Sequence, residues 1–283
     1  MTAIKAAEAG GRKLNMQPDN RLISATSKLV FRAVCKSYGT RSATRDATLA
    51  LDALDLQVGD AEIFSILGPT GCGKSTAMNM VAGFEFPSAG SVYLDNQEII
   101  GPGPDRAVVF QQPSLFPWLT VLDNITLGVK CRGMPSTEYA RRAAHLLKAV
   151  ELEGFASHYP YQLSGGMQQR VQIARALIAE PKVLLMDEPF GALDSQTRLL
   201  MQKLVLRLWS EYRPTIIFIT HDVAEAIFVS DRIFVMTRRP GRKKMAVEIS
   251  EPKPRTDSFI SSSKFVDLQR VLLGALQEEV QRA

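Results

Sequence analysis

No stretch of this 283-residue chain approaches the ~18–20 consecutive apolar residues that a bilayer-spanning helix needs. The most apolar runs, such as residues 215–220, have the length of buried strands. The N-terminus carries Lys5, Arg12 and Lys13 with no continuous apolar run behind them, so the secretory-signal pattern is missing and the cytosol is the expected compartment. Cysteine is scarce: Cys35, Cys72 and Cys131 stand at unrelated spacings, which fits neither a disulfide framework nor a zinc site. No internal repeat is present, and the composition (46% hydrophobic, 22% charged) is that of a globular protein. The length allows one large α/β domain or two small ones with a substantial core.

The chain carries a net charge of +5, concentrated in residues 1–28 and in the stretch RRPGRKK at 238–244. A basic loop beside an acidic bilayer, one beside a phosphate backbone, and a solvated turn leading into a strand look alike in sequence. Charge alone does not choose among them.

Residues 1–27 have no period, and 1–28 reads as a mobile tail ahead of the cassette. From about Leu29, LVFRAVCKSY reads as a strand, IFSILG at 63–68 as a short buried strand, and TAMNMVAGF as a helix. GSVYLDNQEI and RAVVFQ read as further strands. Between about 113 and 179 the pattern turns helical, with amphipathic segments at 138–152 and at 164–179, the second opened by Ser164. Strand patterns return at KVLLMDE, TIIFIT and RIFVMT, alternating with helical segments such as 195–212, and a last helix is expected over about 262–281. Strands alternating with helices predict a mainly parallel sheet covered by helices, with an inserted helical subdomain.

GPTGCGKST at 68–76 fits G-x-x-x-x-G-K-[ST] and lies between a predicted strand and a predicted helix. Backbone N–H groups of Gly68, Pro69, Thr70, Gly71, Cys72, Gly73, Lys74, Ser75 and Thr76 (proline excepted) can surround phosphate oxygens, and the helix start adds its positive end. Lys74 is expected on the β- and γ-phosphates, the Ser75 hydroxyl on Mg²⁺, and Cys72 as a small packing residue. KVLLMDEP is an apolar strand ending in two acids. A strand beside the phosphate loop can hold Asp187 against the Mg²⁺ shell, with Glu188 at the open sheet end to accept a hydrogen bond from water.

The class comes from LSGGMQQR at 163–170, which resembles the signature of ATP-binding cassette proteins. The family's other elements stand in order around it. VFQQ supplies the Q-loop glutamine Gln111, GALD the D-loop with Asp194, ITHD the switch histidine His221, and Tyr38 the aromatic that stacks on adenine. The resemblance covers about residues 29–256, followed by a helical extension at 257–283. It implies a P-loop NTPase cassette: a RecA-like, mainly parallel sheet core, an antiparallel β subdomain and an α-helical subdomain. It also implies ATP and Mg²⁺ as cofactors, with Ser75, Gln111 and Asp187 at the metal and Glu188, His221 and Gln111 at the chemistry. Ser164, Gly165 and Gly166 form a helix start with free N–H groups, an anion site that makes sense if it closes on the nucleotide of another copy. That is the family's head-to-tail dimer. Thr70 stands where serine is usual, and both carry a hydroxyl.

A single cassette without membrane helices or coiled coil resembles the importer subunits that work with separate permeases. QQPSLFPWLTVLDNITLGV at 111–129 and TRRPGRKKMAVEI at 237–249 resemble the nitrate, sulfonate and taurine branch, and thiamine-precursor importers are similar. The implied partners are a second cassette, two transmembrane permease subunits and a periplasmic or extracellular substrate-binding protein, with the chain peripheral at the cytoplasmic face of the inner membrane. An exporter or lipid-handling complex, or a nucleic-acid-linked ATPase, are the rivals; nucleic acid is not an expected partner. Phe116, Pro117 and Trp118 are expected where the membrane subunit docks, with subdomain core as the alternative for Trp118. His145 and His158 read as ordinary helix-surface residues.

Overall fold

The structure is a computed structural model that describes residues 27–39 and 47–281. Two sheets are stacked. The first is antiparallel, in the order β2-β1-β4-β5, built from β1 (Ser27–Tyr38), β2 (Thr48–Gly59), β4 (Ala89–Leu94) and β5 (Gln97–Glu98). The second runs β10-β9-β3-β8-β7-β6, from β3 (Ile63–Leu67), β6 (Arg106–Val109), β7 (Val183–Asp187), β8 (Thr215–Ile219), β9 (Arg232–Met236) and β10 (Lys243–Glu248). It is parallel except for the antiparallel edge pair β9–β10.

The parallel strands are apolar without alternation because both faces are covered. Phe64, Ile66, Leu185, Ile217 and Phe234 face β1, β2, β4 and helix α1 (Lys74–Ala82). Ile63, Leu184, Met186, Phe218 and Val235 face the opposite core. That core is closed by α4 (Gly165–Leu177), α5 (Ser195–Tyr212), α6 (Val223–Val229) and α8 (Ser263–Gln281), with the short α7 (Asp257–Ile260) beside them. The inserted helical region contains α2 (Val121–Cys131), α3 (Ser136–Ala149) and α4.

Several expectations need adjustment. The first strand starts at Ser27, so of the tail expected at 1–28 only residues 27 and 28 are described, and both are strand. GSVYLDNQEI is a hairpin rather than one strand, because Asp95 and Asn96 take positive φ (48° and 64°) and form its two-residue turn. β2 was not anticipated. Its apolar residues change phase where Ala53, at φ 44°, forms a bulge against β1. β7 is not the direct neighbour of β3, since β8 lies between them. His158 is not on a helix surface. It lies between two 3-10 turns (Glu153–Phe155 and Pro160–Gln162), packs on Phe155 with ring centroids 5.0 Å apart, and keeps its Nδ1 buried. Among the described residues, no helix is long and apolar enough to cross a membrane.

Candidate functional site

Four adjacent parallel strands end in one row. Pairing sets Ile66 of β3 beside Ile219 of β8, and Ile219 beside Asp187 of β7. The chain leaving β3 is the loop 68–76, that leaving β8 reaches His221, that leaving β7 reaches Glu188, and that leaving β6 reaches Gln111. Residues far apart in sequence thus meet at the carboxyl ends of the strands, where open α/β sheets bind ligands.

The loop owes its shape to glycine. Gly73 has φ +104°, and a Cβ there would lie 2.6 Å from Leu51 Cδ2. Cys72 is fully buried among apolar neighbours, which pushes its thiol pKa up, so it packs as expected. Lys74 is buried at the first turn of α1, and its Nζ donates to Gly68 O (2.8 Å) and Pro69 O (3.1 Å). The ammonium is therefore held over the loop, while Thr70, Gly71 and Ser75 remain exposed.

Across from the loop, burial and then the charge of Glu188 push the Asp187 carboxyl above the usual carboxylate range, opposed by Lys74 and the Ser75 hydroxyl. A carboxylate penalised in this way gains when a cation arrives. Among the described residues no three His, Cys, Asp or Glu could hold a metal by themselves. Asp187 and Ser75 supply part of an oxygen shell, which fits Mg²⁺ bound jointly with a phosphate ligand.

Glu188 takes φ +44°, an uncommon backbone state for a non-glycine residue, fixed by its N–H donating to Ile219 O at 2.8 Å. Its Oε2 lies 3.1 Å from Nδ1 of His221, an exposed ring. Gln111 is drawn into the same group, with its Nε2 3.4 Å from where a Cβ on Gly191 would sit. Glycine at 191 leaves Glu188 and Gln111 room.

Tyr38 ends β1 and is 41% exposed. Its hydroxyl bonds Thr76 Oγ1 at 3.2 Å and donates to Glu85, which ties the ring to the phosphate loop. Burial and then Glu85 raise its pKa. Glu85 escaped the sequence reading, because nothing in its neighbourhood marks it. Gln169 and Gln172, buried on α4, were also missed; both side chains face the backbone of Phe110, beside Gln111.

Two expected site elements stand apart. Ser164 caps α4, accepting from Met167 N at 3.3 Å, and a Cβ on Gly165 would meet nothing within 4 Å. Gly166 lies close to α5, where its Cβ would be 3.0 Å from Thr197 Cγ2. Asp194 caps α5, accepting from Gln196 N and Thr197 N at 3.0 Å each; the Thr197 hydroxyl first, then these backbone N–H groups, hold its carboxyl below the usual range. Trp118 is 71% exposed, so the core alternative for it falls, and it packs on Phe116 with ring centroids 5.6 Å apart.

A sequence model described as ABC transporter matches residues 51–191. An uncharacterized ABC transporter ATP-binding protein of Methanocaldococcus jannaschii is 48% identical over 231 residues, covering 82% of this chain and 85% of that one. The taurine import ATP-binding protein of Chromobacterium violaceum is 49% identical over 193 residues, covering 68% of this chain and 74% of that one. An ATP-binding cassette solved as a dimer in a post-hydrolysis state with ADP and Pi superposes with a TM-score of 0.68 at 34% identity, covering 79% of this chain and all of that one.

Proposed function

This chain belongs to the ABC transporter family as an ATP-binding protein, and from that premise we propose that it powers a membrane importer of taurine, another sulfonate, nitrate or a related small metabolite. The observation that carries the ATPase chemistry is the row of Asp187, Glu188 and His221 at the strand ends beside the lysine-bearing loop. In this reading Lys74 and the loop N–H groups hold the phosphates of ATP, and Tyr38 stacks on the adenine. Mg²⁺, held by Ser75, Asp187 and Gln111, would neutralise phosphate charge. Glu188 accepts a proton from the attacking water, and His221 keeps that carboxylate oriented and reaches the γ-phosphate.

The bare helix start at Ser164, Gly165 and Gly166 supports a working unit of two cassettes, as does the dimeric cassette with ADP and Pi. Each copy would present this N-terminus to the nucleotide on the other, with Asp194 at the interface. One permease subunit docks on the exposed Phe116–Trp118 pair of each copy, which lies on the same segment as Gln111 and so links the nucleotide to the membrane. A substrate-binding protein outside the membrane completes the importer, with this chain on the cytoplasmic face.

The test is purification of the tagged chain from detergent-solubilised membranes, followed by reconstitution. A co-purifying multi-helix permease and ATP-dependent uptake of taurine, sulfonates or nitrate are expected. Recovery of only soluble or nucleic-acid partners would sink the importer reading.

A further inference from the structure

The late turn at 237–242 is part of the stretch that resembles one branch of the family, yet the ATPase chemistry leaves it without a role. In the structure it lies directly against the phosphate loop. Arg239 Nε donates to Gly71 O at 3.3 Å. Gly241 packs so closely that a Cβ there would stand 2.2 Å from Cys72 O and 2.6 Å from Met236 Cε.

The turn is fixed from three sides. Within itself, Thr237 Oγ1 donates to Pro240 O at 3.0 Å and accepts from Arg242 N at 2.9 Å. Toward β2, Gly241 N donates to Ala50 O at 2.8 Å, Asp52 N donates to Gly241 O at 3.1 Å, and Arg242 pairs with the Asp52 carboxylate. Toward the C-terminal helix, Arg238 N donates to Glu279 Oε2 at 3.0 Å, and Lys244 Nζ bonds Glu279 Oε1 at 2.8 Å. Glu279 is 2% exposed, and a carboxylate so deep is stable only where such donors meet it.

We propose that this turn is a brace on the phosphate loop, that Arg239 is a positioning residue for ATP acting through the Gly71 carbonyl, and that α8 sets the brace through Glu279. The physical argument concerns one peptide group. A carbonyl and the next N–H point in opposite directions, so the Arg239 bond to Gly71 O fixes where Cys72 N–H points. Cys72 N donates back to Pro69 O at 3.3 Å, closing the 69–72 turn at the loop tip. A phosphate loop works by holding its shape, and with it the N–H groups of its other residues, ready beforehand, and a charged donor on an outer carbonyl keeps the closed 69–72 turn in place. The end of α8 therefore reaches the nucleotide through two hydrogen bonds and one short turn.

This rests on reading 68–76 as the ATP loop, and the test separates the two. Equilibrium binding of fluorescent ATP, kcat at saturating ATP and the thermal midpoint are measured on the full chain and on Arg239→Ala, Arg239→Lys, Glu279→Gln and Lys243→Ala. Arg239→Ala is expected to raise the Kd for ATP about fivefold, with kcat and midpoint nearly unchanged. Arg239→Lys should recover part of the loss, and Lys243→Ala, an exposed neighbouring cation, should match the wild type. Glu279→Gln should weaken ATP binding in the same direction, and the Arg239→Ala/Glu279→Gln double variant should be no weaker than Arg239→Ala alone. An unchanged Kd in Arg239→Ala, with or without a lower midpoint, overturns the brace. Additive effects of the two substitutions overturn the link to α8. Failure of the wild-type chain to bind ATP would overturn the loop reading itself, and the brace with it.

Discussion

Two helix N-termini in this chain meet an anion in the proposed reading, and they are furnished very differently. The start of α1 is surrounded: a buried lysine, a half-buried aspartate, a glycine whose positive φ other residues rarely adopt, and a packed cysteine. The start of α4 is bare, with Gly165 facing open space and Ser164 satisfying its own helix. Both have free backbone N–H groups and the positive end of a helix dipole. Only the first has the counter-charge and metal-ligand chemistry that an ATP site requires. A helix start left open in this way makes sense as half of a site whose other half is carried by another surface.

The largest expected effect comes from damaging the furnished site. Lys74→Ala should weaken ATP binding by about a hundredfold, read by equilibrium binding, because several charge-assisted bonds to phosphate are lost together. Damage to the bare site should look different. Gly165→Asp adds a carboxylate where there is room for it, and acids at a helix start are favourable by about 0.3–1 kcal/mol. The thermal midpoint should hold or rise, and ATP binding to the isolated chain should stay within about twofold. Hydrolysis should fall by about a hundredfold or more, because the new charge repels the partner's nucleotide. A variant that lost both binding and hydrolysis would erase the distinction between the two helix starts.

Smaller effects sharpen the comparison by touching neither helix start. Trp118→Ala removes an exposed ring, so stability should move by less than about 0.5 kcal/mol and basal ATPase should persist. Substrate uptake by the reconstituted transporter should be lost. Lys253 concerns stability only. Burial lowers its pKa to about 8, while Asp231, bonded at 2.7 Å, opposes the shift. With the folded pKa below the unfolded value, the unfolded chain binds more protons between about pH 8 and the ordinary lysine value of 10.5. This group therefore adds stability as pH rises through that window. Denaturant unfolding of Lys253→Met should lack that gain relative to the wild type.

The α1 site was largely legible, because a phosphate loop is local: nine consecutive residues carry it, between a strand and a helix. The acids at the end of β7 and the histidine after β8 were legible only in order, since the meeting of Glu188 with His221 at 3.1 Å depends on the sheet register. Other features had no local signal. The phase change at Ala53 hid β2 from a period-two reading. The positive φ of Glu188 is imposed by packing, for nothing about glutamate predicts it. The contacts of Arg239 with Gly71 and of Glu279 with Arg238 join residues 168 and 41 positions apart, and no spacing could announce them. Lys253 likewise drew no notice, because its burial against Trp209, with Nζ 3.6 Å from the ring centroid, appears only once α5 is folded.

The central claim is that the bare start of α4 completes the ATP site of a second copy. It is tested most directly by the molar mass of Glu188→Gln in ATP and Mg²⁺, measured by light scattering with and without Gly165→Asp. The account predicts a stable dimer for Glu188→Gln, because ATP persists when the catalytic carboxylate is gone, and a monomer once Gly165→Asp is added. A Glu188→Gln chain that stays monomeric in ATP, or a dimer indifferent to Gly165→Asp, would contradict it.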